Sequence, residues 1–372
     1  MVTCMGKAAS LTVIVFMLAA SVIVFQPLEA KGNVIVVPDD FPTINQAIQN
    51  AKDDDTIFIK QGIYNETLVI DKRLTIRGED TNKTVLNGSY RGTVIQVRYY
   101  NVTITGLTIL FSLDHNSAHR YYIRPPGNSS AFFVRHTDWE EGLSGIHLQN
   151  AQYCNISGNI VSDCGLGLWL TGSQYNTISG NTFVRNNNGL VAQTSWYNKI
   201  VGNTFLDGGA GVCLPPQNVF KTGLVNDQSS GYNTFVHNNF IGNQIPIESL
   251  SLVNTTSNIW DDGAEGNYWS TYNGTDSDGN HIGDQPYQIM AEYYTGYISN
   301  VVWKEQVYGV DNYPLMEPFN DDNVVVASTD PDMQAKQNAA TLTLIEVTAA
   351  VTALIVIVAL IVYFKKHGFF SL

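Results

Sequence analysis

Apolar and polar residues fall at the same places in three consecutive stretches of this chain, residues 153–174, 175–196 and 197–218, each 22 residues long, headed by tyrosine and aligned without a gap. Ile156, Ile178 and Ile200 share one column, Gly158, Gly180 and Gly202 the next, and Asn159, Asn181 and Asn203 a third. Gly167, Gly189 and Gly211 make a fourth. A unit this short, with small apolar clusters between Gly and Asn, has no room for a helical pair and enough for three strands and three bends. The pattern predicts an all-β solenoid, a single-stranded parallel β-helix whose strands pair with those of the coils above and below at about 4.8 Å. Phe183 with Phe205, Leu168 with Leu190 and Val212, and Trp169 with Val191 and Cys213 are assigned to the interior. Asn159, Asn181 and Asn203 are read as a structural ladder, each amide bonding the next. The second glycine column is read as a bend of positive φ or a close backbone approach.

A fourth coil starts at Tyr232, after an insertion of 13 residues, and places Asn238 on the same ladder. Ile104 to Ile109 and Leu74 to Gly78 repeat parts of the same phrase, so the winding begins early. Between Val34 and Phe319 there is room for roughly ten coils, a rod on the order of 50 Å at the sheet spacing. Before the first coil, Thr43 and Gln46 form a capping-box pattern, and Ile44, Ala47, Ile48 and Ala51 make one apolar stripe. These predict an N-terminal capping helix over the open end of the coil stack.

Continuous repetition argues for one elongated body, residues 31–320, with an insertion at 112–141 and a closing segment at 256–319. A net charge of −13 with only 20 Lys and Arg excludes a nucleic-acid partner, since neutralising phosphates needs clustered cations. Lys7, an apolar run from Ala8 to Phe25 and the Leu28-Glu29-Ala30 ending give residues 1–30 the order of a secretory signal peptide or an uncleaved anchor. Residues 321–346 read as a polar linker. Residues 347–364 are apolar or weakly polar without interruption, long enough to cross about 27 Å of hydrocarbon as a C-terminal transmembrane helix. Lys365, Lys366 and His367 follow and place the tail, 365–372, in the cytoplasm. The expectation is a single-pass protein of the cell membrane, tethered by that helix, with its body extracellular. Sequons at Asn65, Asn82, Asn87, Asn101, Asn128, Asn155, Asn254 and Asn273 fit a glycoprotein. Of four cysteines, Cys4 falls in the signal; Cys213 reads as a small buried apolar residue, and Cys154 and Cys164 are either bridged or free.

Oxygen donors alternate along Asp276, Asp278, Asn280, Ile282 (through its carbonyl) and Asp284, as a calcium loop requires, although His281 stands where glycine is wanted. The alternative is a solvated acidic turn. The irregular stretch 112–141 carries His115, His119, Arg124, Arg135, His136, Asp138 and Trp139, an aromatic and charged set suited to a sugar; the alternative is an ordinary solvated loop. Asp163, Arg185 and Asp207 share an outward column, as a surface ladder or a catalytic strip. Asp261 and Asp262 are adjacent but lack a partner His or Arg at a recognisable offset, so no paired-carboxylate set assembles.

The segment from Thr43 to Gly78, with Asp55-Thr-Ile-Phe-Ile59 and Leu74-Thr-Ile-Arg-Gly78, resembles the opening of pectin-lyase-like right-handed β-helices. The Asn-x-Ile-Ser-Gly-Asn phrase at Asn176 to Asn181 is similar to the NosD-type repeat of periplasmic and archaeal surface proteins. Asn258-Ile-Trp-Asp-Asp262, Gly266-Asn-Tyr-Trp-Ser270 and Asp311-Asn-Tyr-Pro-Leu-Met-Glu-Pro-Phe319 resemble the closing segment of archaeal members. The resemblance implies a right-handed winding. It also implies a family mixing accessory copper-assembly proteins, carbohydrate-related proteins and others, which brings His115, His119 and His136 into view as copper ligands. Three functions follow as expectations: a non-enzymatic surface rod binding glycans or envelope proteins, which the residues favour; a carbohydrate-active enzyme on the same scaffold; and an accessory protein for copper-site assembly.

Overall fold

The computed structural model describes residues 32–89, 92–111, 144–214, 230–249, 257–295 and 302–320. The chain divides after Asp321. Segments 1–30, 112–141, 321–346, 347–364 and 365–372 lie outside the described residues, and among those described no helix is long and apolar enough to cross a membrane.

A strand, β1 (Val34–Val37), and a helix, α1 (Ile44–Asn50), precede the coils. Coil one is β2 (Thr56–Ile59), β3 (Gly62–Tyr64) and β4 (Leu68–Ile70); coil two is β5 (Thr75–Gly78), β6 (Thr84–Asn87) and β7 (Ile95–Val97). Coil three is β8 (Thr103–Thr105), β9 (Thr108–Leu110) and β10 (Ser144–Gln149); coil four is β11 (Asn155–Ser157), β12 (Ile160–Ser162) and β13 (Leu166–Thr171). Coil five is β14 (Thr177–Ser179), β15 (Thr182–Val184) and β16 (Asn188–Gln193); coil six is β17 (Lys199–Val201), β18 (Thr204–Leu206) and β19 (Ala210–Cys213). Coil seven is β20 (Thr234–Val236), β21 (Asn239–Ile241) and β22 (Ile245–Glu248), and β23 (Tyr268–Trp269) opens the closing segment. Each coil gives one strand to each of three parallel sheets, of eight, eight and seven strands. Seven coils replace the roughly ten expected, because insertions and a terminal hairpin, β24 (Tyr287–Thr295) with β25 (Val302–Asp311), take up the remaining chain.

The repeat columns stack as the period requires. Ile156, Ile178 and Ile200 pair in register along the first sheet, and Leu168, Leu190 and Val212 along the third, all buried. Phe183, Phe205 and Phe240 stack at 5.2 and 5.1 Å in the interior, and Trp269 closes the pile at 4.4 Å. Between the first and second sheets the chain turns on Gly158, Gly180 and Gly202, with φ of +62°, +60° and +65°. The second glycine column does the other job foreseen for it: a methyl at Gly189 would lie 2.6 Å from both the Gly211 carbonyl oxygen and Phe205 Cδ1, so only glycine lets adjacent coils meet there.

The ladder runs further than the sequence indicated. Asn159 Nδ2 donates to Asn181 Oδ1, Asn181 to Asn203, Asn203 to Asn238 and Asn238 to Asn267, at 2.9–3.0 Å and fully out of water. Asn267 then donates to Asp311 on β25 through its backbone N–H, 2.7 Å, and its amide, 3.4 Å. A second ladder, Asn176, Asn198, Asn233 and Asn258, ends on the Tyr308 hydroxyl of the same strand. Both run donor-first toward β25, so the hairpin terminates the rows of amides. At the other end α1 is fixed at both termini: Thr43 Oγ1 accepts from Gln46, Glu66 accepts from the N–H groups of Ile44 and Asn45, and Lys72 Nζ donates to the carbonyls of Ile48, Gln49 and Ala51. These charges match the helix dipole, and Ile44, Ala47 and Ile48 join the main core.

Trp169, Val191 and Cys213 require a correction. They form a cluster separate from the main core, packed with Leu166. Leu168 and Leu170 on either side of Trp169 point inward, so alternation turns this column out through the opposite face of the third sheet. Cys154, Cys164 and Cys213 are free and buried.

Candidate functional site

Two neighbouring surfaces of the third sheet carry the chemistry: its outer face, and the corner where it turns into the first sheet. On the outer face His147, Trp169, Val191, Cys213 and Glu248 follow one another in register on β10, β13, β16, β19 and β22. The His147 ring stacks on Trp169 at 4.2 Å, and its Nε2 lies 3.0 Å from Thr171 Oγ1. Burial, reinforced by the positive charge of Arg98, lowers the His147 pKa to about 4, so this imidazole is neutral at pH 7. Burial, and then the neighbouring Glu248 carboxylate, push the Cys213 thiol well above its ordinary value, which leaves it unreactive. Ser144 Oγ, His147 Nδ1, Asn188 Oδ1 and Ser249 Oγ are buried without a hydrogen-bond partner among the described residues. Glu248 is the one carboxyl on the described strands of this sheet. Glu248 stands four strands from His147 in this column, roughly 19 Å at the usual strand spacing, so the two do not share a site.

At the corner, Tyr153, Tyr175, Tyr197 and Tyr232 stand in an open row. Their ring centroids are 5.4, 5.3 and 5.2 Å apart, with planes within 12° of parallel. Each is 45–58% exposed, and each sits in the left-handed region at φ between 55° and 57°. That backbone costs a residue with a side chain about 1 kcal/mol or more, and Asn or Gly would adopt it more cheaply. Three stacked pairs at roughly 1 kcal/mol each offset about that cost and no more, so stability alone does not account for tyrosine in four successive coils. Among the described residues none of the four hydroxyls has a hydrogen-bond partner. Beside the row run Gln149, Thr171 and Gln193 on the third sheet, in register and half-buried, and Asn155, Thr177 and Lys199 on the first. The flanks are amides and hydroxyls with a single charge.

The other expected residues distribute differently. His115, His119, Arg124, Arg135, His136, Asp138 and Trp139 lie outside the described residues. Asp276, Asp278, Asn280, Ile282 and Asp284 do share one loop, but its oxygens face its own donors. Asp276 accepts from the N–H groups of Gly279, Asn280 and His281, Asp284 from Ser277 and Thr275, and Asn280 Oδ1 from Ile282. Among the described residues no group of three or more His, Cys, Asp or Glu is placed to hold a metal ion. Arg185 grips Asp163 through two bonds, 2.9 and 2.7 Å, on the exposed corner between the second and third sheets, a surface ion pair of the ladder kind. Sequence reading gave no role to His147, Asn188, Glu248 or the tyrosines, although a tyrosine heads four successive repeats, from Tyr153 to Tyr232.

The sequence model of the family described as "Periplasmic copper-binding protein (NosD)" matches residues 48–274. No curated protein matches. Among solved structures, the catalytic domain of a GH87 alpha-1,3-glucanase is 14% identical with a TM-score of 0.43; the alignment covers 65% of this chain and 40% of that one, so the chain spans about two fifths of that domain. Pectin methylesterase from Yersinia enterocolitica is 14% identical with a TM-score of 0.38, covering 72% and 88%. Alginate lyase from Paenibacillus sp. str. FPU-7 is 15% identical with a TM-score of 0.32, covering 58% and 76%.

Proposed function

The chain belongs to the NosD family, and we propose that it is a non-catalytic β-helix of the cell envelope that holds a glycan along the tyrosine-lined edge of its third sheet. The observation that carries this reading is the exposed row Tyr153, Tyr175, Tyr197 and Tyr232, which occupies backbone better suited to Asn or Gly and whose four hydroxyls have no hydrogen-bond partner among the described residues. A line of phenol edges and hydroxyls flanked by amides and hydroxyls offers the donors and acceptors that a sugar's rim of hydroxyls takes up. Among the described residues the columns flanking the row carry no pair of carboxylates, and the histidine on the adjoining sheet face is neutral, which supports binding over cleavage. The envelope setting is supported by hydropathy alone: a signal-like start, the apolar segment 347–364 and the Lys365–Lys366 pair after it, which together suit a single-pass protein with its body outside.

Copper, which the family description names, does not fit the described residues. His147 is stacked on Trp169 and bonded to Thr171, the three buried thiols are scattered over the coils, and no soft-ligand cluster accompanies them. The test is to present the full-length protein, in detergent, to immobilised neutral and acidic polysaccharides and to score both retention and cleavage. Retention without new chain ends is expected. Cleavage would overturn the non-catalytic reading, and absence of retention on every polymer would overturn the glycan reading.

A further inference from the structure

The tyrosine row also restricts which glycan fits. Resting on the binding role proposed above, we infer that it selects a neutral, extended glycan lying along the stacking direction of the coils, one sugar residue to each coil. Four hydroxyls 5.2–5.4 Å apart each meet a partner only on a ligand that offers a polar group at nearly that interval; in a β-1,4 chain, whose residues alternate by half a turn, one edge offers the secondary hydroxyls and the hydroxymethyl group in turn, a hydroxyl at every residue. One coil's rise is close to the length of one pyranose residue in an extended chain. An extended peptide offers the backbone donors and acceptors of one edge only every second residue, about 6.7 Å, so it would drift about 4 Å out of step over three intervals.

The rings also define how contact is made. Because each tyrosine covers its neighbour's face, the row offers outward a line of ring edges and hydroxyls, not separate stacking platforms. Hydroxyls at one-sugar intervals, with Thr171 and Gln193 in register on the adjoining sheet, match the hydroxyl-bearing edge of a flat chain. Charge decides between neutral and acidic polymers. Of the six flanking residues named above, Lys199 is the one cation, with Arg98 one coil before Gln149, on a chain of net charge −13, so a polyuronate would meet repulsion with little compensation among the described residues.

The experiment titrates the full-length protein with neutral β-1,4-linked gluco-oligosaccharides from dimer to hexamer, a matching series of acidic oligomers, and an extended neutral peptide. With one hydrogen bond gained per sugar, affinity is expected to rise about fivefold per residue up to the tetramer and to level beyond it. Tyr175→Phe keeps the stack and removes one hydroxyl, and is expected to weaken the tetramer about fivefold. Tyr232→Phe, at the end of the row, is expected to shorten the plateau to the trimer. A plateau at the dimer, tighter binding of acidic oligomers, insensitivity to both variants, or preference for the peptide each overturns the inference while leaving polysaccharide retention standing. If no polysaccharide is retained at all, the underlying binding role falls with it.

Discussion

Asp311 gives the sharpest test of how the coil stack is closed. It is completely buried, yet burial is opposed by bonds from Trp269 Nε1 at 2.8 Å, the Asn267 N–H at 2.7 Å and the Tyr313 N–H at 3.1 Å; burial prevails and raises its pKa to about 6. An unfolded aspartate titrates near 3.9, so the folded state takes up this proton first as pH falls. The contribution of Asp311 to stability is therefore complete below pH ~4 and is lost as pH rises through about 6. A shift of about two units corresponds to about 3 kcal/mol between the extremes, of which about 2 kcal/mol develops between pH 7.5 and 4.5. Other acids work in the opposite sense: Asp284, for example, is held below its ordinary value by the Ser277 and Thr275 hydroxyls. The informative quantity is consequently the difference between wild type and Asp311→Asn, which cancels them. Urea unfolding followed by tryptophan fluorescence, at pH 7.5, 6.0 and 4.5, should show the wild type gaining about 2 kcal/mol on the variant as the solution is acidified. A difference that stays flat, or that grows toward high pH, would refute the assignment of a raised pKa at the foot of the ladder.

Asn203→Ala removes a middle rung and takes the acceptor from the buried backbone N–H of Asn181 and from one of its two amide hydrogens, the other staying on the Ile156 carbonyl, so a loss of about 3 kcal/mol is expected in the same assay. Gly189→Ala should cost about 2–3 kcal/mol, because the added methyl meets Gly211 and Phe205 at 2.6 Å. Arg185→Ala breaks only an exposed pair with Asp163 and should change stability by less than about 1 kcal/mol, with glycan retention unaltered. Asp276→Ala removes the acceptor for three backbone N–H groups and should loosen the 276–284 loop by about 1–2 kcal/mol whether or not calcium is present, while calcium leaves the wild-type melting temperature unchanged.

Columns were legible in the sequence wherever the period is unbroken. Through coils four to six the side chains of Ile156, Asn159 and Gly167 recur unchanged, and stacking follows from strand pairing alone; in coil seven Phe235 and Pro246 take the Ile and Gly places. Facing was harder to read. Leu166, Leu168, Trp169 and Leu170 are all apolar, and the register sets Leu166 opposite Asn188 and Leu168 opposite Leu190 with Gly167 between, so composition hid which of them turn outward. His147 and Glu248 sit in coils bordered by insertions, where a column is difficult to extend by eye. Asp311 could not have been placed, since it stands 44 residues beyond Asn267 in a segment that does not repeat, and only the fold brings it to the ladder. The tyrosines were visible as a column from the start. Their meaning came from backbone and exposure, which a single sequence does not display.

The most direct test of the account replaces Tyr153, Tyr175, Tyr197 and Tyr232 together with Asn, a residue that suits the left-handed bend and removes the rings. Retention of the full-length variant on the polysaccharide that holds the wild type should be abolished while its circular dichroism and melting curve remain those of a folded β-helix. Undiminished retention by the folded variant would contradict the account.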